Sequence, residues 1–154
     1  INRSSHITVE KGSSSNGYVG YYALNVINGS EEYVSKVTTD ENGYMIYTDG
    51  SDKILVGYTG SKTELVFPED ITKINQYAFY NCNLAYVVIP ATVKELGKGC
   101  FYTTNPNFII YSEAEEGDYW NENWRNQKTR VYYKGEWSYD ANGVPQINMD
   151  SQLD

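Results

Sequence analysis

Histidine is almost missing from this chain of 154 residues: His6 is the one present. A Ser-His-Asp or Cys-His catalytic arrangement would have to be built on that residue. There is also no Gly-x-Ser-x-Gly elbow and no glycine-rich phosphate loop. Acyl transfer and nucleotide chemistry therefore have nothing to start from, and His6 reads as a surface residue beside a strand at Ile7-Thr8-Val9. No apolar run approaches the roughly 18 residues of a spanning helix, so no membrane insertion is expected. Basic residues are scarce: Lys and Arg number 12 against 20 Asp and Glu, a formal net charge of −8. Nucleic acid and anionic membranes both select a basic face, so neither is an expected partner. With two cysteines, Cys82 and Cys100, there is no disulfide framework to read. The chain starts at Ile1 without an initiator Met or a signal peptide. It reads as a trimmed mature fragment of a secreted or cell-surface protein. Two sequons, Asn2-Arg3-Ser4 and Asn28-Gly29-Ser30, would matter in a source that glycosylates secreted proteins.

What the chain does have is aromatic side chains, with 16 tyrosines and 3 tryptophans. Such a composition favours strands, and surfaces that are adhesive without being greasy. It also has an internal repeat. Glu64-Leu65-Val66-Phe67-Pro68 returns 22 residues later as Tyr86-Val87-Val88-Ile89-Pro90. The same offset carries Ile71 to Val93, Ile74 to Leu96, Ala78 to Cys100, Phe79 to Phe101 and Tyr80 to Tyr102. This period lies in the leucine-rich-repeat range, roughly 20–29 residues. In each unit the alternation predicts a short strand with one face inward, ended by Pro68 or Pro90. The apolar spacing after the proline is helical or 3₁₀, so the expected solenoid has short parallel strands with irregular or 3₁₀ return segments. One unit cannot bury its own apolar face, so the units must stack.

Continuing the offset aligns Phe108-Ile109-Ile110-Tyr111 with Tyr86 to Ile89. Leu65/Phe67, Val87/Ile89 and Ile109/Tyr111 are then expected inward. Two outward ladders follow, Glu64-Tyr86-Phe108 and Val66-Val88-Ile110, and these six residues form the expected ligand-binding face. An apolar ladder of this kind needs a cover. The cover is either a partner or the N-terminal β region, between Tyr18 and Tyr58, folding back over it.

Three parts are expected. Residues 1–60 form a β-rich N-terminal region, with strands at Tyr21 to Ile27, Tyr33 to Thr38, Tyr44 to Thr48 and Ile54 to Tyr58. The turn Asp49-Gly50-Ser51-Asp52 joins the last two. Residues 61–137 hold the repeats and an atypical C-terminal cap, and 138–154 a polar tail. Trp120 and Trp124, four apart, read as capping the core from one helix face, with stacking on sugar the lesser option. The cysteines fall out of phase in the repeat and read as buried free thiols. Acidic groups at Glu113, Glu115, Glu116 and Asp118, at Asp40 and Glu41, and at Asp49 and Asp52 lack calcium-loop spacing and read as solvated loops. No metal or other cofactor is expected, and nothing in the sequence gives the oligomeric state.

The strings Phe67-Pro68-Glu69-Asp70-Ile71-Thr72-Lys73-Ile74 and Tyr77-Ala78-Phe79-Tyr80-Asn81-Cys82 resemble the BspA-like leucine-rich repeat. The second unit departs from that pattern, with Cys100 for alanine and Thr104 for cysteine. Ile110 to Glu115, followed by Trp120 and Trp124, is similar to the closing unit of such arrays. The hairpin Gly43 to Gly60 resembles insertions between their repeats. The resemblance implies a leucine-rich-repeat solenoid from a secreted or surface protein, bacterial in most cases. It also implies a role in adhesion, through protein ligands on a host or other cell. A carbohydrate-binding or spacer module of a larger extracellular protein is the alternative.

Overall fold

The computed structural model describes residues 37–148. His6, both sequons and the strand expected at Tyr21 to Ile27 lie outside the described residues. Three strands open the described chain: β1 (Val37–Thr39), β2 (Tyr44–Asp49) and β3 (Asp52–Tyr58). β2 and β3 form the expected hairpin, with Asp49 opposite Asp52. Gly50 takes the left-handed corner at φ 63°, a conformation glycine reaches without a Cβ penalty.

The chain then winds into coils. Three coils carry the strands of the expected repeat, β4 (Glu64–Val66), β6 (Tyr86–Ile89) and β8 (Ile109–Ser112), and the stretch expected as a cap adds a fourth, β10 (Arg130–Tyr132). All four pair in parallel in the order β10-β8-β6-β4. The return path is not helical. It carries a second set of two-residue strands, β5 (Lys73–Ile74), β7 (Glu95–Leu96) and β9 (Tyr119–Trp120). These extend the N-terminal hairpin into a sheet ordered β1-β2-β3-β5-β7-β9. The return path is irregular, one of the two forms expected for it, and holds no continuous helix because Ile71 and Ile74, like Val93 and Leu96, turn inward through tight turns. Ile71 N–H donates to the Pro68 carbonyl and Val93 N–H to that of Pro90. The backbone groups that follow bond to the neighbouring coil and not to their own turn: Lys94 N–H donates to Thr72 and Gly97 N–H to Ile74. A solenoid thus satisfies its return path laterally. Trp120 and Trp124 accordingly share no helix face.

Between the two sheets lies an apolar core with an aromatic spine. Phe79 and Phe101 are fully buried, and their rings stack at 5.6 Å with an interplanar angle of 8°. Phe67 stacks on both, at 5.4 Å and 6.0 Å. Trp124 closes the spine edge-on to Phe101 at 6.1 Å and meets Trp120 at 5.2 Å. Both tryptophans belong to the core cluster, which puts them in the capping role. Cys82 and Cys100 are buried free thiols.

The step between coils varies. Glu64 pairs with Tyr86, 22 residues on, but Tyr86 pairs with Ile109 and not with Phe108. One more residue sits in the second coil, taken up by the turn Asn105-Pro106-Asn107. There the Asn105 side-chain oxygen accepts the Asn107 N–H at 2.9 Å and the Asn105 carbonyl accepts the Phe108 N–H at 3.1 Å. A shift of one residue turns every side chain of a strand to the other face. The inward row is therefore Leu65-Val87-Ile110-Val131 and the outward rows Glu64-Tyr86-Ile109-Arg130 and Val66-Val88-Tyr111-Tyr132.

Residues 138–148, expected within a polar tail, are structured. β11 (Trp137–Tyr139) and β12 (Pro145–Ile147) form an antiparallel hairpin. Its turn is held by Asp140, whose carboxylate accepts the N–H groups of Asn142 and Val144.

Candidate functional site

The outward side of the four-stranded sheet is where the sequence placed the binding face, and the structure redraws it. Glu64 and Val66 lie on this side at the sheet edge and are exposed, Val66 by 49%. Tyr86 is half-buried on the same side, and Val88 is there but covered, 1% exposed. Phe108 and Ile110 are not on this side. Both are in the main core, Phe108 with its ring 6.0 Å from Phe101. Their expected outward places belong to Ile109 and Tyr111, which the uniform 22-residue offset had put inward.

The cover over Val88 comes from the chain itself, at its C-terminal side. Val88, Tyr111 and Trp137 form a second apolar cluster, with Tyr86, Ile109, Tyr132 and Ile147 packed against it. The Trp137 ring lies 5.4 Å from Tyr111, and its indole N–H donates to the Ser112 carbonyl at 3.0 Å. The hairpin β11–β12 is thus pinned onto the sheet by one tryptophan. Residues 37–58 of the segment expected to fold back lie instead in the other sheet, from Val37 to Tyr58.

What the hairpin leaves open is a groove of about 450 Å³ at the strand ends, walled by Pro90, Thr92, Trp137 and Tyr139 with Glu69, Glu113 and Lys134 at its rim. Tyr139 is 43% exposed and stands edge-on to Trp137 at 5.1 Å. Its hydroxyl is held protonated beyond the ordinary tyrosine range by partial burial first, then by Glu113, Tyr86 and Glu69. Tyr86 is shifted the same way by burial, Glu64 and Asp140. Burial is the larger cause for both tyrosines, and the neighbouring carboxylates push in the same direction. A second groove of about 540 Å³ opens at the edge strand β4, between Tyr44, Tyr58, Lys62, Glu64 and Val66. Tyr44 crosses this edge, its hydroxyl donating to the Val66 carbonyl at 3.1 Å.

Sequence reasoning missed Tyr139 and the hairpin that carries it. The signal was present: Asp140-Ala141-Asn142-Gly143 is a turn between Trp137-Ser138-Tyr139 and Pro145-Gln146-Ile147. Among the described residues no group of three or more His, Cys, Asp or Glu is placed to hold a metal ion. No helix among them is long and apolar enough to cross a membrane.

Comparison with known proteins gives one positive result. The family model described as BspA type leucine rich repeat region (6 copies) matches residues 57–117. No curated protein and no solved structure matches the chain. The matched stretch runs from the end of β3 into the third coil, and its parallel, inward-alternating strands are those of a leucine-rich-repeat solenoid. Over residues 57–117, therefore, the chain is similar to the BspA-type leucine-rich-repeat family, and its fold is a solenoid of that kind.

Proposed function

We propose that this chain is a non-catalytic adhesion module of a secreted or cell-surface protein, binding an extracellular protein through the outward side of its four-stranded sheet. The observation that carries this reading is the strip formed by Val66, Tyr86 and Tyr139. It holds exposed or half-exposed apolar and aromatic side chains on rigid strands, within a mainly acidic rim of Glu64, Glu69, Glu113 and Asp140 that also includes Lys134. Tyrosine supplies contact area at low entropic cost, and strands hold such a patch in place better than loops do. The carboxylate rim favours a partner with a basic surface, chiefly by speeding encounter. Of the residues first expected in the site, Glu64, Val66 and Tyr86 remain its members. Val88 supports the face from beneath Trp137.

The reading is tested by passing the whole chain over immobilised extracellular-matrix proteins and mapping any complex by hydrogen exchange. Protection of β4, β6 and the hairpin β11–β12 is expected. A complex protected elsewhere, with this strip exchanging as in the free protein, would reject the assignment.

A further inference from the structure

The second sheet has an outward side too, and its side chains have a different chemistry. Along it Lys73, Glu95 and Tyr119 are consecutive rungs of the parallel ladder. Lys73 reaches Glu95 at 3.6 Å and Asp52 at 3.5 Å, and Lys94 holds Asp52 at 3.0 Å, so the first two rungs are tied down by ion pairs. Tyr119 differs. It is 73% exposed, the most exposed large apolar side chain among the described residues. Its backbone is fixed in β9, so the ring is presented by a rigid element with no packing reason to stand in water.

Two residues further on, each coil makes the same backbone bond to its neighbour. Asn75 N–H donates to Leu55, Gly97 N–H to Ile74 and Asn121 N–H to Leu96. The three are equivalent positions, and the middle one has no side chain. A Cβ on Gly97 would stand 2.3 Å from the Gln76 nitrogen and 2.5 Å from its Cα, so the coils close over this point and only glycine fits. Gly97 thus marks where two coils meet without a side chain between them. With Asn75 and Asn121 it lines a trough of about 600 Å³ walled by Gln76, Lys98, Asp118 and Tyr119. That size is within the range of small-ligand sites, roughly 300–1,000 Å³.

We propose that this trough binds a neutral carbohydrate chain. The charges along it balance, Lys73 and Lys98 against Glu95 and Asp118, although the whole chain carries −8. A balanced lining gives no purchase to phosphate, nucleic acid or a metal ion. Side-chain amides and charged groups supply both donors and acceptors, as a polyhydroxyl ligand requires. The negative face of an exposed phenol ring attracts the C–H groups on one side of a sugar ring. The trough crosses three rungs, about 10 Å of the sheet, and is open along its length. It therefore suits a segment of a chain better than an enclosed small molecule. This inference rests on a different sheet from the adhesion strip, and either stands without the other.

The test is an amide NMR titration of the full chain with maltohexaose, cellohexaose, xylohexaose and chitohexaose, each to about 10 mM, well above a millimolar dissociation constant. Shifts at the amides of Gly97, Tyr119 and Asn121 are expected with at least one of them. Tyr119→Ala should weaken that binding about tenfold or more. Tyr119→Phe should retain it, because the ring face and not the hydroxyl is used, and Tyr139→Ala, in the hairpin docked on the other sheet, should leave it unchanged. Failure of all four sugars to move those amides, shifts centred on the other sheet, or wild-type binding by Tyr119→Ala would each overturn the proposal. So would a trough that answers only to an unstructured peptide used as a control titrant.

Discussion

Tyr86 stands beside Ile109 in the parallel ladder, while the neighbouring Phe108 lies in the core against Phe101. That relationship separates structural from surface residues in the third coil. Phe108→Ala should cost about 3–5 kcal/mol, the range for buried aromatic truncations. Val66→Ser, at a side chain 49% exposed, should stay within about 0.5 kcal/mol of wild type. Urea titration of both variants checks the register. A Phe108→Ala protein as stable as Val66→Ser would mean that the uniform 22-residue spacing holds after all.

The stacked pair Phe79 and Phe101 should also behave as a unit. Each single truncation to Ala should cost about 3–5 kcal/mol. The double variant should lose less than the sum by about 0.5–3 kcal/mol, because the second truncation opens onto a cavity already made. Strict additivity in a double-mutant cycle would argue that the two coils do not share one spine.

Glycines separate into those needed for conformation and those needed for space. Gly50→Ala adds a Cβ with nothing within 4 Å, at φ 63°, and should cost about 1–2 kcal/mol of left-handed strain. Gly97→Ala drives its Cβ against the Gln76 backbone. It should cost about 1–3 kcal/mol or more by overpacking, and it should also move the amides of residues 75 and 76. Denaturant midpoints with amide spectra distinguish the two. A silent Gly97→Ala would contradict the close approach of the coils.

Alkaline pH should weaken the fold through groups buried in their neutral form. Burial pushes the Cys82 thiol from its ordinary 9.0 up to about 12, and raises Cys100 in the same direction. Tyr44 is raised by burial, then by Tyr58 and Asp40. A raised folded pKa in an acid means that the unfolded chain gives up its proton first. The stabilisation is therefore complete below about pH 9 and is lost as pH climbs toward about 12. Urea midpoints taken from neutral pH upward should fall over that window. The native thiols should meanwhile resist a disulfide reagent at about pH 8 until denaturant is added. A flat stability profile, or prompt labelling of the folded protein, would contradict this.

Much of the solenoid was legible in the chain because stacking imposes a period on Leu65, Val87, Phe79 and Phe101, and a period survives without coordinates. The third rung was misread for a local reason. The added residue in Asn105-Pro106-Asn107 leaves the residue classes of Phe108 to Tyr111 apolar on both faces, so alternation alone could not reveal the slip. The return strands were hidden because their hydrogen bonds run to neighbouring coils, and spacing of three between Ile71 and Ile74 is the same for a helix turn and for a lateral bridge. The candidate face was half legible. Glu64, Val66 and Tyr86 follow from the first two units, whereas Tyr139 reaches the site through a hairpin that pairs only with itself and docks by Trp137.

Binding by the outward side of the four-stranded sheet is tested most directly by paired substitutions read against the same immobilised partner. Tyr86→Ala combined with Tyr139→Ala removes the two rings in the mainly acidic rim, and Tyr119→Ala removes the exposed ring of the opposite sheet. With an extracellular-matrix protein that captures the wild-type chain, the double variant should lose affinity by about tenfold or more, and Tyr119→Ala should bind as wild type. Equal binding by the double variant and the wild type, with both correctly folded by amide spectra, would contradict the assignment of this face.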